Sequence, residues 1–111
     1  MFLLSEPSQQ DRASTGYRDI LALYQHMRGN AYKVTVRGAK HDNFLDLAVC
    51  FAPVLKIAGG LGSIDGRRGL AITNAYIQAF FDTSLGQGNT RLLEGPSTAY
   101  PEIQFESRSA R

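Results

Sequence analysis

The stretch whose reading decides the fold is Tyr32–Asp46, YKVTVRGAKHDNFLD. Tyr32, Val34 and Val36 alternate with Lys33, Thr35 and Arg37, the two-residue period of a strand about six residues long. Gly38 ends it, and the chain passes into a loop that carries His41. Upstream the period changes: Tyr17, Ile20, Leu21, Tyr24 and Met27 recur at three- and four-residue steps and share one helical face. Gly29-Asn30 tolerate a left-handed exit, so this helix should stop near Arg28. Residues 5–16 are polar, contain Pro7 and Gly16, and read as a loop. Phe2-Leu3-Leu4, stopped by Ser5-Glu6-Pro7, is a short apolar run suited to a strand covered on both faces. Strand, helix and strand make a βαβ unit with two parallel strands and a right-handed crossover, which sets the fold class as α/β. In open α/β sheets functional groups collect just beyond the carboxyl ends of the strands, and His41 falls there.

Downstream, Asn43 to Phe51 forms a helix with Phe44, Leu47, Ala48 and Phe51 on one face. Pro53 and Gly59-Gly60-Leu61-Gly62 make residues 52–63 a flexible connection. The longest helix is expected from Gly66 to Leu85, capped by Asp65 and stopped by Gly86, with Leu70, Thr73, Tyr76, Ile77, Phe80 and Phe81 inward. Residues 1–95 read as one domain and 96–111 as an extended tail, in which Ile103-Gln104-Phe105 is placed to dock on the body.

The composition suits a small globular domain. Of 111 residues, 43% are hydrophobic and 20% charged, which argues against disorder. A net charge of +2, with basic residues scattered, argues against a nucleic-acid partner. One cysteine, Cys50, excludes an internal disulfide framework; its apolar neighbours suggest a small buried hydrophobe. No apolar run approaches the roughly 20 residues of a transmembrane segment. MFLLSEP lacks the basic leader of a signal peptide, and the compartment stays open, with the cytosol compatible. His26 reads as a helix-end surface residue. Two histidines fifteen residues apart, without supporting cysteines or paired carboxylates, make no metal site, and no cofactor is expected.

On position alone, a loop histidine is as a rule a solvated, idle residue. The residues around His41 change that expectation. Gly38, His41, Asn43, Phe44 and Asp46 fit G-x-x-H-x-N-F-x-D, and Gly62-Ser63-Ile64-Asp65 opens a long helix ending at Ala79-Phe80-Phe81. Over roughly residues 1–95 this resembles the platelet-activating-factor acetylhydrolase-like and dienelactone-hydrolase-like members of the α/β-hydrolase superfamily. The resemblance implies a serine carboxylic-ester hydrolase acting on a small ester or lipid-like substrate, with His41 as the triad histidine.

It also implies missing parts. The superfamily order is serine, acid, histidine, the serine lying in G-x-S-x-G at a sharp strand-to-helix turn. No G-x-S-x-G occurs here. Gly95-Pro96-Ser97-Thr98-Ala99 follows the histidine, follows no strand, has a proline in the turn, and is rejected. The acid is expected upstream of Phe2, with Glu6 and Asp11 as fallbacks; Asp42 and Asp46 flank the histidine, Asp46 bracing the loop and Asn43 fixing it through backbone bonds. A chain beginning inside a core strand leads to the expectation of the carboxyl-terminal portion of such an enzyme, inactive alone. The alternative is a non-catalytic module that binds or self-associates through its exposed strand edge.

Overall fold

The alternation at residues 32–36 becomes the central strand of a three-stranded sheet. A computed structural model describes residues 1–45, 47–86, 88 and 91–110, with the backbone alone for Leu47 and Ala48. β1 (Phe2–Ser5) runs parallel to β2 (Ala31–Val36), Leu3 opposite Val34 and Ser5 opposite Val36. The connection between them contains helices α1 (Gln9–Ala13) and α2 (Thr15–His26). β3 (Ile103–Arg108) lies antiparallel on the other side of β2, Val34 opposite Phe105 and Val36 opposite Ile103. The class is α/β with a small mixed sheet of order β1-β2-β3.

The patch Ile103-Gln104-Phe105 docks on the body as part of β3. Ile103 and Phe105 alternate with Gln104 and Glu106, and β3 satisfies the row of β2 backbone groups that two parallel strands alone would leave open. Lys33 and Glu106, opposite each other in the register, form an ion pair at 2.8 Å. The Arg108 guanidinium donates to the carbonyls of Tyr24 (2.8 Å) and Gln25, tying β3 to the end of α2.

The register gives the sheet two distinct faces. Leu3, Val34, Val36, Ile103 and Phe105 meet α5 (Gly66–Ser84), where Ile72 and Tyr76 are fully buried beside Ala79 and Leu93. The other face meets α2 through Tyr24, whose ring stands edge-on to Phe2 at 6.1 Å with Lys33 and Arg108 over it. Asp65 caps α5 by accepting the N–H groups of Arg67 (3.0 Å) and Arg68 (3.1 Å). The inward face of α5 differs from the expected one: Gly69, Ile72, Thr73, Tyr76 and Ala79 are buried, while Ile77 and Phe81 are exposed. Arg68 explains the rotation. It is bound to the Glu102 carboxylate at 2.8 and 3.0 Å and stacked over Tyr100, which fixes the turn of the helix from its first residues.

Other local expectations are corrected by capping. Within residues 5–16, Ser8 and Asp11 form a reciprocal capping box that starts α1, and Ser14 then caps α2 through the Tyr17 N–H. Residues 52–63 are not a free connection, because Pro53 sits in the first turn of α4 (Ala52–Ile57), where its missing N–H costs nothing. Gly59, at φ 75°, follows that helix. The single helix expected over 43–51 is split into a 3-10 turn (His41–Phe44) and a one-turn helix α3 (Leu47–Cys50). That split leaves Cys50 exposed, not buried, with Phe51 beside it. Asp46 and the side chains of Leu47 and Ala48 lie outside the described residues. His26 is exposed, its Nδ1 2.7 Å from the Ala22 carbonyl oxygen. Among the described residues, no helix is long and apolar enough to cross a membrane.

Two outcomes follow from this packing. The Tyr76 hydroxyl is buried without a partner, so Tyr76→Phe should raise stability by about 1 kcal/mol in urea unfolding. The Arg68 hydrogen bonds hold the Glu102 carboxyl below the usual carboxylate range. Its folded value thus lies below its unfolded one, so its stabilisation is present at neutral pH and is lost as pH falls through the lowered value. The melting-temperature gap between wild type and Glu102→Gln should be open at pH 7 and narrow progressively as pH falls below the ordinary carboxylate range.

Candidate functional site

Gly38 turns the chain out of β2 in a left-handed conformation, φ 73°, which side-chain-bearing residues avoid. Its N–H donates to the Glu6 carboxylate at 2.7 Å, and its carbonyl accepts the Ile64 N–H at 3.0 Å. The Glu6 N–H donates to the Ala39 carbonyl at 3.2 Å. The segments that leave the two parallel strands are thereby stitched to each other and to the lead-in of α5.

The turn bearing His41 is built on Asn43, which is 1% exposed. One carboxamide oxygen accepts the N–H of Lys40 at 2.7 Å and of Gly62 at 2.8 Å. Gly62 is required where it stands, since a Cβ there would overlap the Gly38 carbonyl oxygen. The Lys40 ammonium donates to the Gly59 carbonyl at 2.8 Å, closing the same loop pair from outside.

These contacts shape a cleft of about 860 Å³ at the carboxyl ends of β1 and β2, open to solvent. Its walls are the segment after β1 (Ser5, Glu6, Pro7, Ser8, Asp11), the turn from Gly38 to Asp42, and the loop Gly59, Gly60, Gly62 and Ser63. His41 is exposed on that wall. Its imidazole has no hydrogen-bond or ion-pair partner among the described residues. Such a ring is free to exchange a proton with a group brought into the cleft.

Glu6, Asp11 and Asp42 line the same cleft, and none is bonded to His41. The Glu6 carboxylate is engaged by Gly38. That of Asp11 accepts the Ser8 N–H (2.9 Å) and hydroxyl (2.7 Å), bonds that hold its pKa below the usual carboxylate range. Asp65 is a helix cap, as its position before Gly66 implied. Among the described serines none bonds to His41. Ser97 accepts the Ala99 N–H at 3.2 Å within a turn and does not line this cleft. No group of three or more His, Cys, Asp or Glu among the described residues is arranged to hold a metal ion.

The cleft wall from the segment after β1, and the α4–Gly60 wall, are absent from the sequence reading. Ser8-x-x-Asp11 and a proline at a helix start were the available signals. Comparison with protein-family models, curated proteins and solved structures found no match to this chain.

The clamp and the imidazole should separate cleanly by mutation. Asn43→Leu leaves two part-buried backbone N–H groups unpaired and should cost about 1–3 kcal/mol in urea unfolding. His41→Ala removes an exposed, unbonded ring and should change stability by less than about 0.5 kcal/mol.

Proposed function

We propose that the chain is the carboxyl-terminal part of a serine carboxylic-ester hydrolase, supplying the triad histidine His41 to a serine carried on another segment. The observation that supports this most directly is the imidazole, without a bonding partner among the described residues, in an open cleft at the carboxyl ends of two parallel strands. The match of Gly38, His41, Asn43, Phe44 and Asp46, then of Gly62–Asp65, to the acetylhydrolase-like pattern supports the class of reaction. In that reaction the neutral imidazole takes the serine proton as the hydroxyl attacks the ester carbonyl, then returns it to the leaving alcohol. It next deprotonates the water that cleaves the acyl-serine, which releases the carboxylic acid and restores the serine hydroxyl.

Asn43 and Gly62 position the ring in this scheme, because both hold the turn on which it stands. Glu6 and Asp11 are each engaged locally, which favours an acid supplied from outside the chain. By itself the chain has no activated serine, so ester turnover and labelling by a fluorophosphonate are not expected from it.

The test is a chimera in which the serine-bearing amino-terminal part of an acetylhydrolase-like enzyme is joined to residue 2 of this chain. It should hydrolyse p-nitrophenyl acetate, and His41→Ala should lower kcat by about 10⁶-fold. A folded chimera whose turnover is insensitive to His41→Ala, or fluorophosphonate labelling of a serine in the 111-residue chain alone, would sink the reading.

A further inference from the structure

The sheet has two free edges, and they differ in kind. β3 carries Glu106 and Arg108, charges of the sort that keep an edge strand from accepting another strand. β1 carries none: Phe2, Leu3 and Leu4 are half-buried, with Phe2 and Leu4 on one face and Leu3 on the other. The Glu6 N–H reaches inward to Ala39, so by strand alternation the even-numbered residues direct their backbone groups at β2. Leu3 and Ser5 direct theirs outward. A groove of about 370 Å³ follows this edge; Leu3, Leu4, Tyr17, Ile20 and Phe44 give its apolar wall, and Asp11 and His41 also line it.

The helical layers continue the apolar side. Leu23, 61% exposed, and Met27 follow Ile20 on α2 at three- and seven-residue spacing, the same helical side. On α5, Ile77 stands nine residues after Arg68, two and a half turns, hence on the side opposite the Glu102 anchor. Ile77 and its neighbour Phe81 are both exposed there. The accessible surface is 7203 Å². A folded monomer of 12.2 kDa is expected to expose roughly 6,100 Å². The excess of roughly 1,100 Å² is more than the ~800 Å² per partner of a standard interface.

We propose that this side is a homodimer interface. In it β1 pairs antiparallel with β1 of a second copy about a twofold axis normal to the sheet, Leu3 opposite Leu3. The β1 edge is itself uncharged and apolar on both faces, and a strand of the same kind matches it. Among the three strands of the chain only β1 qualifies, since β2 carries Lys33 and β3 carries Glu106 and Arg108. A twofold axis places that strand in both grooves at once, and the interface is self-complementary. Pairing Leu3 with its own equivalent keeps each face continuous: Phe2 falls opposite Leu4, and the outward N–H and C=O of Leu3 exchange both hydrogen bonds. No charged side chain of β1 is buried in the process. The inference does not rest on the ester-hydrolase reading, and a serine-bearing segment that completed the sheet would compete for the same edge.

Sedimentation equilibrium of the 111-residue chain at about 100 µM should give the dimer mass, twice 12.2 kDa. Leu23→Glu places two carboxylates in the interface and should weaken association by about tenfold or more with circular dichroism unchanged. Ile57→Glu, at the 90% exposed end of α4, should leave association unchanged. Hydrogen exchange adds the strand-level readout: the Leu3 amide should be protected in the wild-type dimer and exchange freely in monomeric Leu23→Glu. A monomeric or open-ended wild type, a dimer indifferent to Leu23→Glu, or a dimer whose Leu3 amide exchanges freely would each overturn the proposal. None of these readouts depends on ester turnover.

Discussion

Asn43 gathers two backbone N–H groups, from Lys40 and Gly62, onto one buried oxygen. That contact joins the turn after the central strand to the loop that leads into the longest helix, and the cleft exists because the two are held apart at a fixed spacing. The neighbouring bonds reinforce it: Gly38 answers Glu6 on one side and Ile64 on the other. Each of these contacts involves a backbone group, and the two on Asn43 are part-buried, where an unmet donor is expensive. Residues 38–44 are held by these hydrogen bonds together with the packing of Ala39 and Phe44 on the core, while the buried Asn43 Nδ2 has no partner among the described residues. His41 stands on this base while its own ring has no hydrogen-bond or ion-pair partner among the described residues.

The same economy of anchors sets the layers. Arg68, held by Glu102 and Tyr100, decides which side of α5 meets the sheet. Arg108, bound at the end of α2, decides how β3 lies against the other layer. Both anchors belong to the β3 half of the molecule. The β1 half is fastened at its carboxyl end through Glu6, Gly38 and Ala39, while Leu23, Ile77 and Phe81 are exposed.

Regular patterns were legible in the sequence, and departures from them follow from single side chains. The unbroken apolar run Phe2-Leu3-Leu4 marked β1, while the three- and four-residue steps from Tyr17 marked α2 and the two-residue alternation at 32–36 marked β2, each period reporting burial on one side. Asp65 announced α5 correctly. The inward face of α5 was misread because Ile77 and Phe81 are apolar yet sit opposite the Arg68 anchor, a tertiary contact to a residue 34 positions away. Pro53 was read as a break when it marks a start. β3 showed its period at Ile103, Phe105 and the polar residues between them, but so short a run cannot announce its partner. Of the site, the location of His41 beyond the strand ends was legible. The walls facing it were not, since Ser5 through Asp11 reach the cleft only through the parallel pairing of β1.

The chain distances between paired strands carry a consequence for assembly order. Leu3 meets Val34 across 31 residues, whereas Val34 meets Phe105 across 71. Closing the longer span costs about 0.7 kcal/mol more in chain entropy, and it delivers nothing until α5 has docked. The parallel pair with α2 is thus the natural early unit, and the last strand arrives on a preformed edge. During that interval the middle of the sheet is itself a border, with Val34 and Val36 lacking their final cover, and the nascent molecule is most vulnerable to mispairing before its sequence has finished closing over itself.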